Sequence, residues 1–342
     1  MTTQVAFLFP GQGSQTVGMG ADVYEASPAA RRVFESADTA LGLSLSSICF
    51  QGPDDVLRQT INTQPAIVVV SLALLAALQE ALTKRPSSWS SPLLPSYTAG
   101  HSVGEYAALV ASGALRLQDA VQLVRERGRL MHHEGTVCSG GMAAIIGMNA
   151  ENLQEVCREA TAQSTASLTD SSHPGLGQIS VANFNAPGQI VISGEQNALN
   201  LAMELAKSKG AKRVIPLAVS GAFHSKVMQP AAEGLARALA SCEISDATIP
   251  VMGNIHATPL TDSQAIREEL AQQIAAPVQW IHTIEYLVAA GVTIFLEIGP
   301  GQALTGMVKR IAKGVTTLNV SSATDIEKTV GIIREMGLIV EI

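Results

Sequence analysis

The stretch Thr98-Ala99-Gly100-His101-Ser102-Val103-Gly104-Glu105-Tyr106 constrains the fold of this chain more than any other. Gly100 to Gly104 fits G-x-S-x-G, a sharp turn between a strand and a helix that exposes a serine hydroxyl at its apex. Glycines flank the serine because so tight a bend leaves no room for side chains. Leu93 to Ala99 is short and mostly apolar, with Pro95 near its start, and predicts the strand. Val103 to Ser112 suits the helix, and Gly113 is placed to stop it. Ser102 is therefore expected just ahead of a helix. The Val103 N–H, at the positive helix end, then points at any developing oxyanion.

The rest of the composition suits such a turn on a buried parallel sheet. With 342 residues there is room for one large domain, or a large and a small one. Hydrophobic residues make up 47% and charged residues 15%, enough for a sizeable core and too little charge for a disordered chain. Aromatics are only 4%, so the core is built from Ala, Leu, Val and Ile, as in parallel sheets covered by helices. A net charge of −7 argues against nucleic-acid binding and leaves any anionic ligand to local basic residues. Cys49, Cys138, Cys157 and Cys242 lack metal-ligand spacing and read as reduced thiols of a cytoplasmic protein, with a disulfide pair as the alternative. The apolar run Val5 to Phe9 is too short for a signal peptide, and Ala66 to Leu78 falls short of the ~20 residues of a membrane span, so a buried helix is expected there.

Along the chain, Gln4 to Phe9 predicts a buried strand that runs into Pro10-Gly11-Gln12-Gly13-Ser14-Gln15. The phosphate-cradle pattern is incomplete there, with no third glycine in register and no Lys-Ser/Thr. The better reading is a polar side chain, Gln12, on a rigid loop at a strand end, where open α/β sheets place their sites. Helices are expected over Ala21 to Leu41, broken at Ser27-Pro28, and from Pro65 to Leu82. Lys84 to Ser96 is Ser/Pro-rich and reads as an exposed excursion. Leu117 to His132 predicts another helix. Arg125 and Arg129 share one face of it; Arg127 lies about 200° from Arg125, among Leu123, Val124, Leu130 and Met131. A core-facing guanidinium requires an anion, either an internal Asp or Glu or the carboxylate of a substrate.

Residues 140–217 have their own pattern. Met142 to Met148, Ile179 to Phe184, Gln189 to Ser193 and Lys212 to Leu217 read as strands, and Ala150 to Thr161 and Asn197 to Lys209 as helices, with a polar loop from Gln163 to Gly177. The order β-α-β-β-α-β is the split ferredoxin-like arrangement. It predicts a small domain, 140–217, inserted in a large α/β domain made of 1–139 and 218–342. In the second large segment, helices are expected over Val227 to Ala240, Ile266 to Ala275, Trp280 to Ala290 and Asp325 to Met336, with a further one opening near Ala303. Strands are expected at Ile249 to Asn254, Thr293 to Ile298 and Thr317 to Val320.

A serine nucleophile needs a base. Of the seven histidines, His101 adjoins Ser102, but side chains diverge on a sharp turn. His132 and His133 are expected at a helix end, where a cation suits the dipole. His224 lies in a loop of small residues after a strand, the position where a catalytic base is expected.

Several further stretches occur with these in one order: Phe9-Pro10-Gly11-Gln12-Gly13-Ser14-Gln15, Thr63-Gln64-Pro65-Ala66, Arg127-Gly128, Asn183-Phe184-Asn185-Ala186-Pro187-Gly188-Gln189, Gly221-Ala222-Phe223-His224-Ser225, Pro277-Val278-Gln279-Trp280 and Glu297-Ile298-Gly299-Pro300-Gly301. On these motifs, from about Val5 to Ile311, the chain closely resembles malonyl-CoA:acyl-carrier-protein transacylases and the acyltransferase domains of fatty-acid and polyketide synthases. The resemblance implies a hydrolase-like α/β domain with a ferredoxin-like insertion. It implies ping-pong transfer of a malonyl group from malonyl-CoA to the phosphopantetheine thiol of an acyl carrier protein, with no tightly bound cofactor. By this resemblance Ser102 is the acylated nucleophile and His224 its base, oriented by a main-chain carbonyl near Gln273. Gln12 and the Val103 N–H form the oxyanion hole, and Arg127 pairs with the malonyl carboxylate. Gln64, Asn183, Asn185, His101 and Phe223 lie about the substrate, and Phe223 implies malonyl rather than methylmalonyl use. Lys84 to Ser96 and Gln163 to Gly177 look longer than in compact family members. A discrete acyltransferase serving a polyketide synthase in trans shares every motif, and a hydrolase that clears carrier proteins shares the fold but has no need of Arg127.

Overall fold

A computed structural model describes residues 4–83, 93–166, 168 and 173–338. Most of the Ser/Pro-rich excursion (84–92) and part of the polar loop (167 and 169–172) lie outside them.

Strand β1 (Gln4–Phe9) shows why this chain makes a two-sided sheet. Val5, Phe7 and Phe9 pack into one apolar cluster, and Ala6 and Leu8 into another on the opposite face. Period-two alternation with both faces buried calls for apolar residues at every position. Beside β1 lies β2 (Tyr97–Gly100), parallel to it with Phe9 opposite Gly100. Two further sets of strands follow in the chain: β3 (Gly140–Ile146), β4 (Ile179–Ala186), β5 (Gln189–Glu195) and β6 (Arg213–Pro216), then β7 (Val251–Met252), β8 (Pro259–Leu260), β9 (Val292–Ile298) and β10 (Thr316–Val320). The six-stranded sheet runs β10-β9-β1-β2-β7-β8, parallel except for the β7–β8 hairpin. The chain leaves β1 toward β2 on one side and later returns to β9 on the other. The strand order thus reverses between β9 and β1, and the carboxyl end of β1 lies at the switch point where ligands of such sheets bind.

A separate four-stranded antiparallel sheet, β4-β5-β3-β6, carries the Ala150–Ala166 and Gln196–Ser208 helices. The βαββαβ order expected for 140–217 is present, so the molecule has the two-domain α/β fold the motifs imply. The antiparallel sheet is tied to the segment before the Trp280–Ala289 helix, where Phe184 N donates to Val278 O (2.9 Å) and Val278 N to Ala182 O (2.8 Å).

The expected Pro65–Leu82 helix begins earlier, at Thr60, and runs to Thr83 with Pro65 inside it. Asn62 Nδ2 and Thr63 Oγ1 donate to the carbonyls of Val56 and Leu57, which anchors the extra turn and offsets the amide that proline lacks. The helix is long and apolar enough to cross a membrane, but its side chains are mostly buried in the main core, as the apolar run Ala66 to Leu78 predicts. The Leu117–Val137 helix outruns its expected end at His132, so His132 and His133 lie exposed on its outer face rather than at its end. The Ala150–Ala166 helix likewise extends into the expected polar loop. The strand expected over Ile249 to Asn254 pairs only at Val251 and Met252, because the chain turns Asn254 into the elbow. Two short helices, Leu45–Gln51 and Asp54–Leu57, have too few turns for a periodic signal. All four cysteines are free.

Candidate active site

The loop after β1 and the elbow after β2 meet at the carboxyl ends of these strands. Two glycines make the elbow possible by close approach. A Cβ on Gly100 would lie 1.9 Å from the Gly104 carbonyl carbon, and one on Gly104 would lie 2.2 Å from the Phe9 oxygen. Ser102 itself has φ 51°, a conformation costly for a side chain with Cβ. Asn254 holds it there: its Oδ1 accepts from Ser102 N (2.7 Å), and its Nδ2 donates to Gly100 O (2.8 Å). The Gly104–Ala111 helix follows, with Val103 buried at its start. Among the described residues no protein group accepts from the Val103 N–H.

His224 sits on a loop with φ 58° and is buried. Its Nε2 lies 2.7 Å from Ser102 Oγ. Its Nδ1 lies 3.0 Å from the main-chain oxygens of both Gln273 and Ala276. Two carbonyls can only accept, so Nδ1 carries the proton and Nε2 is free to accept from the serine. Burial, and next the Arg127 cation, lower the imidazole from its ordinary value to about 3. Neither carboxylate near the motif loops reaches it. Glu105 bonds Gln273 and Asn254, and Glu297 accepts from Leu304 N and Thr305 N at the start of a helix.

Arg127 is fully buried, as its helical phase predicts. Among the described residues no carboxylate lies within ion-pair distance of it, so the internal partner left open by periodicity is not what holds it. Neutral groups surround it instead. Its Nη1 donates to Gln64 Oε1 (2.8 Å), and its Nη2 to Gln273 Oε1 (2.8 Å) and to Ser102 Oγ (3.1 Å). Burial lowers its pKa, a sign that the site pays to keep this cation without an anion. Arg125, on the other face, reaches Asn62 Oδ1 at 3.3 Å, and Arg129 pairs with Glu126 at the surface.

These groups line a cavity of about 320 Å³ between the two domains. Gln12, Ser102, Val103, Arg127, Phe223 and His224 come from the large sheet's side, and Asn183 and Asn185 from β4. Gln64 and His101 complete the wall. Asn185 Oδ1 lies 2.8 Å from His101 Nε2, and the His101 ring packs 5.4 Å from Trp280. Gln273 approaches from behind, through its carbonyl to His224 and its amide to Arg127. The cavity thus gathers every site residue expected from the sequence except Gln273, which supports it from outside. Sequence reasoning missed Asn254 and the Gln273 amide. Asn254 has only the signal of a polar side chain after a short apolar run, and Gln273 only that of one of two adjacent glutamines near a helix end, both too common to single out.

A serine with a neutral, oriented imidazole and donors about it can attack a carbonyl and form an ester. Residues 6–336 match the family described as the acyl transferase domain. The chain is 45% identical over 333 residues to the malonyl CoA-acyl carrier protein transacylase of Bacillus subtilis strain 168, covering 97% of this chain and 98% of that protein. It superposes with a TM-score of 0.87 on the acyl-carrier-protein S-malonyltransferase of Bartonella henselae (40% identity, 98% of this chain and 100% of that one). It also superposes at 0.87 on a malonyl-transacylase solved in complex with its type II polyketide-synthase acyl carrier protein (36% identity, 96% and 100%). With the match covering nearly its whole length, this chain belongs to the acyl transferase family that includes the malonyl CoA-acyl carrier protein transacylases, and is an acyltransferase.

Proposed function

We propose that this acyltransferase moves a malonyl group from malonyl-CoA to the phosphopantetheine thiol of an acyl carrier protein, through an ester on Ser102. The carrying observation is Arg127, a buried cation without a carboxylate, whose Nη2 lies 3.1 Å from the serine oxygen. An acyl group with its own carboxylate one methylene beyond the reacting carbonyl supplies the missing anion at that distance. Of the five guanidinium N–H groups, one on Nη1 is held by Gln64 and two on Nη2 by Gln273 and Ser102. A carboxylate entering beside the serine would take the Nη2–H that Ser102 Oγ now accepts, and with the second Nη1–H this makes the fork for a bidentate pair.

The steps follow from the dyad. His224 Nε2 takes the Ser102 proton as Oγ attacks the thioester carbonyl, and gives it to the departing coenzyme A sulfur. The carrier thiol then enters, gives its proton to Nε2, and attacks the ester, and Oγ takes the proton back. Gln12 and the Val103 N–H face the oxyanion in both halves. Phe223 fills the space an α-methyl needs, which favours malonyl over methylmalonyl. The product serves fatty-acid or polyketide synthesis in the cytoplasm, with no bound cofactor, and the catalytic domain comprises 1–139 and 218–342 about an inserted 140–217.

Intact-mass measurement after mixing with malonyl-CoA, acetyl-CoA and methylmalonyl-CoA in turn tests this. The malonyl adduct should form fastest and pass to a carrier protein. Arg127→Ala should lose malonyl loading by roughly 10- to 150-fold and keep acetyl loading, since a charge-assisted pair contributes about 1.5–3 kcal/mol. Arg125→Ala should leave the malonyl-to-acetyl ratio alone. Equal losses of both substrates in Arg127→Ala would refute the carboxylate clamp, and release of free malonate in place of transfer would make the enzyme a hydrolase.

A further inference from the structure

Behind the serine lies a set of buried polar side chains that the acyl-transfer steps do not use. Gln273 is 1% exposed, Glu105 1% and Asn254 2%. Gln273 occupies the first position of a short 3₁₀ turn after the Ser263–Gln272 helix, which brings its main chain and side chain to different parts of the site. Its carbonyl accepts from His224 Nδ1 (3.0 Å) and its Oε1 accepts from Arg127 Nη2 (2.8 Å). Its Nε2 donates to Ser102 O (3.0 Å) and to Glu105 Oε2 (2.8 Å). One residue therefore touches the nucleophile, the base and the guanidinium together.

We propose that the Gln273 side chain, anchored on buried Glu105, is a positioning element that holds Arg127 against Ser102 and so sets the preference for acyl groups bearing a carboxylate. This rests on reading Arg127 as the carboxylate clamp. The argument is one of donors and acceptors. Rotating the Gln273 amide by half a turn would set its NH₂ against the guanidinium, donor on donor, and its oxygen against the Glu105 and Ser102 oxygens. Either fault leaves buried polar groups unpaired, so the orientation is fixed from both ends. Glu105 is the fixed point. Its Oε2 accepts from Gln273 Nε2, from Asn254 N (3.3 Å) and from Asn254 Nδ2. The same Asn254 holds Ser102 N. Glu105 thus anchors both the arm that bends the elbow and the arm that steadies Arg127. All three donors converge on one oxygen, so the contact survives a proton on the other. Burial and the neighbouring Glu269 raise the Glu105 pKa well above the ordinary value, and a neutral carboxyl still does this task.

The test compares kcat/KM for acyl-enzyme formation from malonyl-CoA and from acetyl-CoA, with melting as a fold control. Gln273→Met keeps the length of the side chain and the carbonyl that faces His224, and should lower the malonyl-to-acetyl ratio by about tenfold. Glu105→Leu, which removes the anchor, should lower it similarly, whereas Glu105→Gln offers an oxygen in the same place and should restore it to within about threefold of the parent. A general loss of packing would slow both substrates together and leave the ratio unmoved, and that result in Gln273→Met would overturn the proposal. If Arg127→Ala collapses the ratio while Gln273→Met does not, the clamp stands and the positioning role falls. If Arg127→Ala leaves the ratio intact, the clamp itself fails and the proposal with it. Should Glu105→Leu not fold, Gln273→Met decides alone.

Discussion

The two walls of the cleft differ in kind. On the parallel-sheet side, Ser102, Arg127, Gln273, Glu105 and Asn254 bond to one another through buried groups, and two of the loop residues, Ser102 and His224, are held at positive φ. On the antiparallel side, β4 offers Asn183, opposite Val191, and Asn185, which falls at a break in register between Phe184 and Ala186; both line the cavity, and Asn185 reaches His101. Strained backbone persists only where its surroundings over-determine it. The first wall therefore positions reacting atoms, and the second closes the space and shapes it. Relative motion of the sheets would alter access far more than it would alter the dyad.

Substitutions can break or sharpen that contrast. The largest effect is expected from Ser102→Ala, which should abolish the malonyl mass increase altogether; an acylated alanine variant would move the nucleophile elsewhere. Next, His224→Ala should slow acylation by about 10²–10⁴-fold, the range of a lost general base. The pH profile sharpens this case. With the imidazole lowered from 6.5 to about 3, His224 is neutral well below its ordinary range. Acylation kcat/KM should therefore hold as pH falls past 6.5, and a limb at that pH would contradict the buried environment. The same shift acts on stability: the unfolded chain binds a proton there that the folded one does not, so its contribution is full above 6.5 and declines as pH falls toward 3.

Gln12→Ala should cost roughly 10²–10³-fold in single-turnover acylation, the usual loss for one oxyanion donor. A small effect would make Gln12 a turn residue only. Smallest is the change on the other wall. Asn185→Ala removes the acceptor facing His101 and should cost about fivefold, the worth of one hydrogen bond of about 1 kcal/mol, mainly in KM. A loss matching Gln12→Ala would erase the distinction between the walls.

How legible these features were in the sequence depends on how local their cause is. The elbow is a matter of consecutive residues, and the close contacts at Gly100 and Gly104 bear out why glycine is needed. The burial of Arg127 follows from helical phase within a few turns. The βαββαβ order of 140–217 follows from alternating apolar runs, each long enough to read. Asn254 and the Gln273 amide are different: they reach Ser102 from far along the chain, and nothing nearby betrays the contact. Boundaries also slipped where side chains rather than propensity decide them. Asn62 and Thr63 carry a helix past Pro65 from its N-terminal side. In the case of β7, the demand of the elbow for Asn254 cuts the strand short.

The orientation of His224 has a genetic consequence. Its Nδ1 proton is shared between two main-chain oxygens, those of Gln273 and Ala276. Every residue type has that oxygen, so no codon change deletes it. A screen for inactive mutants should therefore recover the serine and the histidine but no third member of equal severity. Where a carboxylate does this work, one base change can remove it. Here the role is lost only by moving the backbone, and lesions that do so in 273–276 should be mainly small insertions and deletions, with substitutions limited to turn-breaking residues.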